Sequence, residues 1–486
     1  MSAKRLALAF AAIGILAAAC GSASLTPSVA PSTSLPAETF PLTSTPSASS
    51  TPAVATPSPT PGAGAASTPG APSTADWPVY HLDARRSGND AAFPAVRLPL
   101  TTAWTARLDG AVYAEPLVVG SRVIVATEGD SVYSLDPSTG KVDWASKLGT
   151  PVPLRTLPCG DIDPLGITGT PAYDPATDSI FAVAEVTGPH HVLFALNPVD
   201  GKVRWSRTVD LPGDDPRTHQ QRPALAVANG FVYIGFGGLA GDCGQYTGKV
   251  VGVPTSGSRG TIAYRVAVAR EGAVWSTGGP VIDQAGNLYV SVGNGSSTSS
   301  FDGSDSVIEL SPDLRQTSIF APANWAADNA RDADLGSLSP TLLPNGFVFI
   351  AGKNGDGYVL RQGNLGGIGG QVSARRLCAA FGGTAVEGND VFVPCSDGVT
   401  RVSVAANGSF TAVWTTATGS NGPPVIGGGA VWTVRTSTGT LYAIDEKSGK
   451  TLGSVSVGEV PHFISPTLWR GLVFVGTTAG VAAVNG

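Results

Sequence analysis

The sequence predicts an all-β fold: an eight-bladed β-propeller of four-stranded antiparallel blades, its ring closed by an N-terminal strand. Three observations carry that expectation. A strand–turn–strand stretch recurs as VYSLDPSTGKVDW at 132–144, VLFALNPVDGKVRW at 192–205 and TLYAIDEKSGKTLG at 440–453. A Pro followed by an apolar run, a turn and a second apolar run recurs every 40 to 60 residues. From Trp77 onward amphipathic helical periodicity is almost absent, and short β-branched runs alternate with turns.

The Pro-marked units start at Pro116, Pro171, Pro223, Pro280, Pro340, Pro424 and Pro466, and GTAVEGNDVFVP from Gly383 fills the one gap without its Pro. That makes eight. A period near 45 residues with about four strands per unit is the period of propeller blades. In DPSTG, Pro137 suits the second position of a type I turn and Gly140 the left-handed position after it. A single four-stranded sheet cannot bury both faces, so such sheets stack around an axis. The last unit ends at GVAAVNG without an outer strand, and LTTAWTARL at 100–108 is expected to supply it. A pair of β-sandwich domains would offer no reason for one sustained period.

Ahead of the propeller, two regions are expected. Lys4 and Arg5 precede an apolar run from Leu6 to Ala19, too short to span a bilayer as a helix but suited to a signal-peptide core. ILAAAC is similar to a bacterial lipoprotein box, with Leu16 one place earlier than usual. It implies cleavage after residue 19, lipidation of Cys20 and a membrane anchor that does not span. An ordinary secretory signal with Cys20 incidental is the alternative. Residues 20–76 form the second region, a disordered tether rich in Ser, Thr, Pro, Ala and Gly, with Glu38 the one charge between Gly21 and Thr74. More than fifty residues in extended conformations reach roughly 150 Å at about 3 Å each. The propeller takes residues 77–486.

Without Lys4 and Arg5 the chain keeps 28 basic residues against 36 acidic ones, a net charge near −8. No basic stripe is present, which argues against nucleic acid as a partner. Beyond Cys20 four cysteines remain, and an oxidising compartment favours their pairing. Cys378 and Cys395 bracket a predicted hairpin and are expected to pair, leaving Cys159 for Cys243. No C-x-x-C occurs, so neither a zinc knuckle nor an attached haem is signalled. The five His are scattered, and His190–His191 is expected in a surface loop. DGSDS at 302–306 offers oxygens for a second calcium, with a turn as the default reading. Gly-x-Ser-x-Gly, P-loop and His-Glu-x-x-His motifs do not occur.

SLDPSTGKVDW and ALNPVDGKVRW resemble the docking motif of quinoprotein-type propellers, and DWPVYHLDARRSGN at 76–89 resembles the lead-in segment of the same group. The resemblance implies either of two kinds of protein. One is a calcium- and pyrroloquinoline quinone (PQQ)-dependent dehydrogenase of alcohols or sugars. The other is a non-catalytic lipoprotein, including propellers that assist outer-membrane protein assembly. It also implies site residues. YVSVGNGSS is similar to the segment whose Asn binds calcium, here Asn294, and FAVAEVTGPHH to the one that supplies a calcium-binding Glu, here Glu185. Trp275 stands where an indole stacks on the quinone, DADLGSLSP resembles the segment of the catalytic base, here Asp334, and AGKNGDGYVL places the quinone-contacting Lys at Lys353.

That set makes chemical sense. Calcium wants oxygen ligands and acts as a Lewis acid beside a quinone carbonyl. A neighbouring carboxylate takes the alcohol proton. Each residue also has a plain structural reading: Asn294 and Gly295 as a turn, Trp275 as inter-blade packing, Glu185 and Asp334 as solvated loop carboxylates, Lys353 as a turn residue. Two departures weigh against turnover. The vicinal Cys pair of the alcohol dehydrogenases is replaced by Cys159–Gly160, and the propeller of about 410 residues is shorter than those enzymes. The leading expectation is therefore a monomeric, anchored ligand-binding or protein-interaction scaffold with a cell-envelope partner, and the dehydrogenase is the alternative.

Overall fold

The computed structural model describes residues 76–419 and 422–486. The expected signal segment, the lipidated Cys20 and nearly all of the tether lie outside the described residues. Within them eight antiparallel sheets are stacked as the eight blades of a β-propeller. Blade 1 runs Leu117–Val119, Arg122–Thr127, Ser131–Leu135, Val142–Lys147 from inside to outside, and each later blade repeats that meander. Burial follows position. In blade 1 the second strand is almost wholly buried, whereas the outer strand alternates between exposed and half-buried. Among the described residues the α-helical content is one short helix, Trp325–Asn329.

Closure works as the sequence suggests. Thr101–Arg107 forms the outer strand of blade 8 and pairs antiparallel with Gly480–Asn485. N- and C-terminal segments thereby share one sheet.

The recurring hairpin explains how the blades lock together. Trp144, on the outer strand of blade 1, donates its Nε1–H to Pro198 O in the next blade's outer turn at 3.1 Å. Trp104 reaches Pro137 O at 2.8 Å, and Trp414 reaches Glu446 O at 3.1 Å. Each indole lies on the turn glycine beyond: Trp104 on Gly140, Trp144 on Gly201, Trp414 on Gly449. These glycines have φ near +70°, and a Cβ there would overlap the indole. The motif needs Gly for conformation and for space at once.

The lead-in segment does more than begin the domain. It runs along blade 1, where Trp77 exchanges backbone hydrogen bonds with Val118, and crosses the axis. It leaves along blade 7, where Asn89–Asp90 pairs parallel with the inner strand Val425–Gly427. On the way it bonds every other blade. Tyr173, Ile282 and Val386 donate to Pro78, Ala84 and Ser87 carbonyls. Arg86 donates to Leu225 O, Arg85 to Leu342 O, and His81 Nε2 meets Ser465 Oγ at 2.9 Å. This arch plugs the channel, and stacked Tyr80 and His81 rings, 4.1 Å apart, sit at its crown.

Both disulfides form as expected, Cys159–Cys243 and Cys378–Cys395. The His190–His191 expectation is corrected. The pair opens the strand His190–Leu196, and His191 is fully buried while His190 stays exposed. Two carboxylates hold His191 there, Glu185 at 3.2 Å and Asp210 at 2.7 Å.

Candidate functional site

Each inner strand begins, and each second strand ends, on one face of the ring. The loops at those points meet around the axis above the arch and enclose a cavity of about 390 Å³. Trp275, Asn294 and Lys353 line it, with Arg222 and Phe463 from blades 3 and 8. Asp334 lies fully buried behind that wall.

Three of the expected residues touch one another. Lys353 Nζ is 2.9 Å from Asp334 Oδ2 and 5.1 Å from the centre of the Trp275 ring. The Trp275 Nε1–H points to Asp334 Oδ1 at 3.4 Å. Burial pushes the Asp334 carboxyl above its usual range, partly offset by Lys353. Burial disfavours the Lys353 charge, but Asp334 and Asp332 outweigh it and hold the ammonium above its usual pKa. Gly293 carries the backbone past Trp275 and Asp334 where a Cβ would crowd both, so Asn294 follows at the rim, half-buried. Trp275 is thus a cavity wall, and Asp334 is not a solvated loop carboxylate.

Glu185 goes elsewhere. It is not among the residues lining the cavity, and its carboxylate faces His191 between blades 2 and 3. Burial raises its pKa, opposed by that imidazole. Burial would suppress the His191 charge, yet Glu185 and Asp210 push its pKa up to about 9. Glu128 and Asp130 lie close by, and burial takes each up to about 8. Among the described residues no group of three or more His, Cys, Asp or Glu side chains is arranged to hold a metal ion. DGSDS forms a local turn: Asp302 accepts from Ser304, and Asp305 from Leu335 N at 2.8 Å.

Two wall residues escaped the sequence reading. The Arg222 guanidinium lies 4.7 Å from the centre of the Phe463 ring, and its Nη2 has no protein partner. Both sit just upstream of a Pro marker, in QQRP and HFISP. Since each marker opens an inner strand, the residues before it reach the axis, as Trp275 and Asp334 do. The Cys159–Cys243 bridge also borders this space: Gly241 lines the cavity and packs against Cys159 Sγ.

A family model described as outer membrane protein assembly factor BamB matches residues 101–235 and 350–455. Comparison with curated proteins gives no match. Among solved structures, the quinohemoprotein alcohol dehydrogenase from Comamonas testosteroni is similar with a TM-score of 0.64 at 17% identity, over 84% of this chain and 80% of that one. A europium-containing methanol dehydrogenase gives 0.65 at 16% identity, over 84% and 91%. BamB from Moraxella catarrhalis gives 0.55 at 14%, over 79% and 99%. At these identities the structural likeness speaks for the fold and not for an activity. The family model and the eight-bladed ring agree, and the chain is a β-propeller of the PQQ-binding-like repeat type.

Proposed function

We propose that this chain is an exported propeller, anchored to the membrane through a lipid on Cys20, whose axial cavity binds a planar, carboxylate-bearing aromatic molecule of the PQQ type. The observation that carries the reading is the convergence of Trp275, Lys353 and Asp334 on one cavity wall. An indole face takes a flat ring without demanding directional bonds. Arg222 lines the cavity and supplies a cation for a carboxylate on the ligand. A cavity of about 390 Å³ lies within the size range of small-molecule sites.

The quinone fits these residues better than calcium does. Asn294 offers one oxygen donor, but Glu185 is engaged by His191. Asp334 already faces the Lys353 ammonium, which a divalent cation would have to displace or tolerate as a like charge. Binding without calcium-dependent turnover is the function these side chains support, as a ligand-holding scaffold at the cell envelope. When bound, a quinone of this type would supply redox capacity. This chain's residues would hold the ring, balance its charge and keep the Asp334 carboxyl beside it. The dehydrogenase reading keeps one favourable observation, the position of a buried Asp334 carboxyl against the indole and the ammonium.

Titration of the purified propeller with PQQ, followed by tryptophan fluorescence with calcium or with a chelator, separates the readings. The expected result is saturable quenching that does not depend on calcium and is lost in Trp275→Ala. Calcium-dependent binding with dye reduction by alcohols, abolished in Asp334→Asn, would establish the dehydrogenase instead. No quenching under either condition would end both. Crosslinking in intact cells tests the envelope partner, and a propeller recovered only as a monomer would count against one.

A further inference from the structure

Beneath the cavity floor lies a second, smaller space. It has a volume of about 10 Å³ and shares Arg222, His462 and Phe463 with the cavity above. Its lower wall is the crown of the arch, Tyr80, with the buried Glu115 beside it. Blades 2 and 4 contribute Thr168 and Thr277.

Four polar atoms of this chamber are buried without a close protein hydrogen-bond partner: Tyr80 Oη, Thr168 Oγ1, Thr277 Oγ1 and Arg222 Nη2; Tyr80 and Thr277 face each other, and Thr168 faces Glu128. They belong to four elements far apart in the chain, and the ring brings them to one point on the axis. Leaving one such group unsatisfied costs about 1–3 kcal/mol, so four in one place call for a common partner. The chamber is about the size that admits a single water, and a buried water needs two to four polar partners. An ion is less suited. Arg222 would favour an anion, but the Glu115 carboxyl forms part of the same wall.

We propose that the axial chamber binds one ordered water that ties the Arg222 guanidinium to the hydroxyls of Thr168, Thr277 and Tyr80. Arg222 Nη2–H and the Tyr80 hydroxyl donate to the water, and the water donates to the two threonine oxygens. Two acceptors and two donors are thereby satisfied. The consequence is positional. Arg222 is steered from above by the Phe463 ring and from below by the water, so the guanidinium presents a fixed face to the cavity. Thr168 and Thr277 act as positioning residues for Arg222. The proposal holds whatever the cavity binds.

A crystal structure that resolves ordered solvent, with a bromide-soaked crystal beside it, tests the site. The expected result is one peak within hydrogen-bonding distance of at least three of the four atoms, without anomalous signal after bromide. A chamber without density, four groups paired among themselves, or an anomalous bromide peak would each overturn it. In solution, the Arg222 Nε–H resonance should be protected from exchange in the wild type. Protection should persist in Thr168→Ser/Thr277→Ser, which keeps both hydroxyls, and be lost in Thr168→Val/Thr277→Val. Equal protection in all three proteins would overturn the positioning role.

Discussion

Lys353 and Asp334 form an ion pair of 2.9 Å at the axial cavity, with the carboxylate side chain fully buried and the lysine 22% exposed. The two come from opposite ends of one blade's inner hairpin: Asp334 precedes the inner strand Thr341–Leu342, and Lys353 follows the second strand Phe347–Ala351. Strand pairing brings them close, and the Lys353 N–H donates to Asp334 O at 3.0 Å outside the strands. Lys353 also stands over Trp275, so one ammonium balances an acid and caps an aromatic wall.

Removing that ammonium should therefore hurt twice. Lys353→Met leaves Asp334 as an uncompensated buried charge, costing up to about 3 kcal/mol once the partial exposure of the lysine is discounted. Asp334→Asn added to it should recover part of the loss. A double-mutant cycle by urea unfolding reads the coupling. Additivity within about 0.5 kcal/mol would show that the pair contributes nothing to stability.

Buried His191, between blades 2 and 3, and the nearby Glu128 predict the pH profile. His191 has its pKa raised to about 9, so its contribution is complete below the unfolded value near 6.5 and is lost as pH climbs to 9. Glu128, with burial lifting its pKa to about 8, likewise binds more protons folded than unfolded between about 4.5 and 8. Both terms make stability fall with rising pH, each by about 1.4 kcal/mol per pH unit inside its window. Thermal unfolding should show a higher Tm at pH 6 than at pH 9, and His191→Gln should flatten the alkaline part of the fall. A Tm that rises from pH 6 to 9 would contradict the assignment.

Gly201 carries a prediction about the blade lock. With φ at +70° and the Trp144 ring and Ser146 hydroxyl against its α-carbon, Gly201→Ala should destabilise by roughly 1–3 kcal/mol through overpacking alone. Gly363, at a matching φ of +73° but with open space around it, serves as the control for conformation without crowding. Calorimetry on the two alanine variants separates the terms. Equal losses would mean that the indole contact is irrelevant.

Much of this was legible in the chain, for physical reasons. Strand periodicity and Pro markers are local, so eight blades, the closing strand at 100–108 and both disulfides follow from spacing. Trp275, Asn294, Asp334 and Lys353 flank strands whose direction sets their face, which is why the structure finds them together at the cavity. Glu185 occupies a comparable place but differs in its neighbours. His191 pairs directly across from it in the sheet, and Asp210 fixes the ring from the far side. A cross-strand partner of that kind cannot be read from a segment resemblance. The axial arch was hidden for a similar reason: its partners are single groups scattered over some 350 residues, from Glu115 to Ser465.

That scatter makes the arch the place where closure of the ring is most exposed to one change. Trp77 is buried, and its Nε1–H donates to Glu115 Oε1 at 2.8 Å. Glu115 Oε2 accepts from the His81 backbone at 3.0 Å, and burial lifts the pKa of this carboxyl to about 8. Trp77→Ala thus removes a large core side chain and strips a donor from a buried acid. A loss of about 3–5 kcal/mol is expected from the cavity term. Trp77→Phe fills most of the space without the N–H, so the difference between the variants isolates the bond to Glu115. Hydrogen exchange should show increased opening at the inner strands of blades 1 and 7 before the outer strands respond. Uniform loss of protection through all eight blades would mean that the arch belongs to the global cooperative unit and does not act as a local clasp.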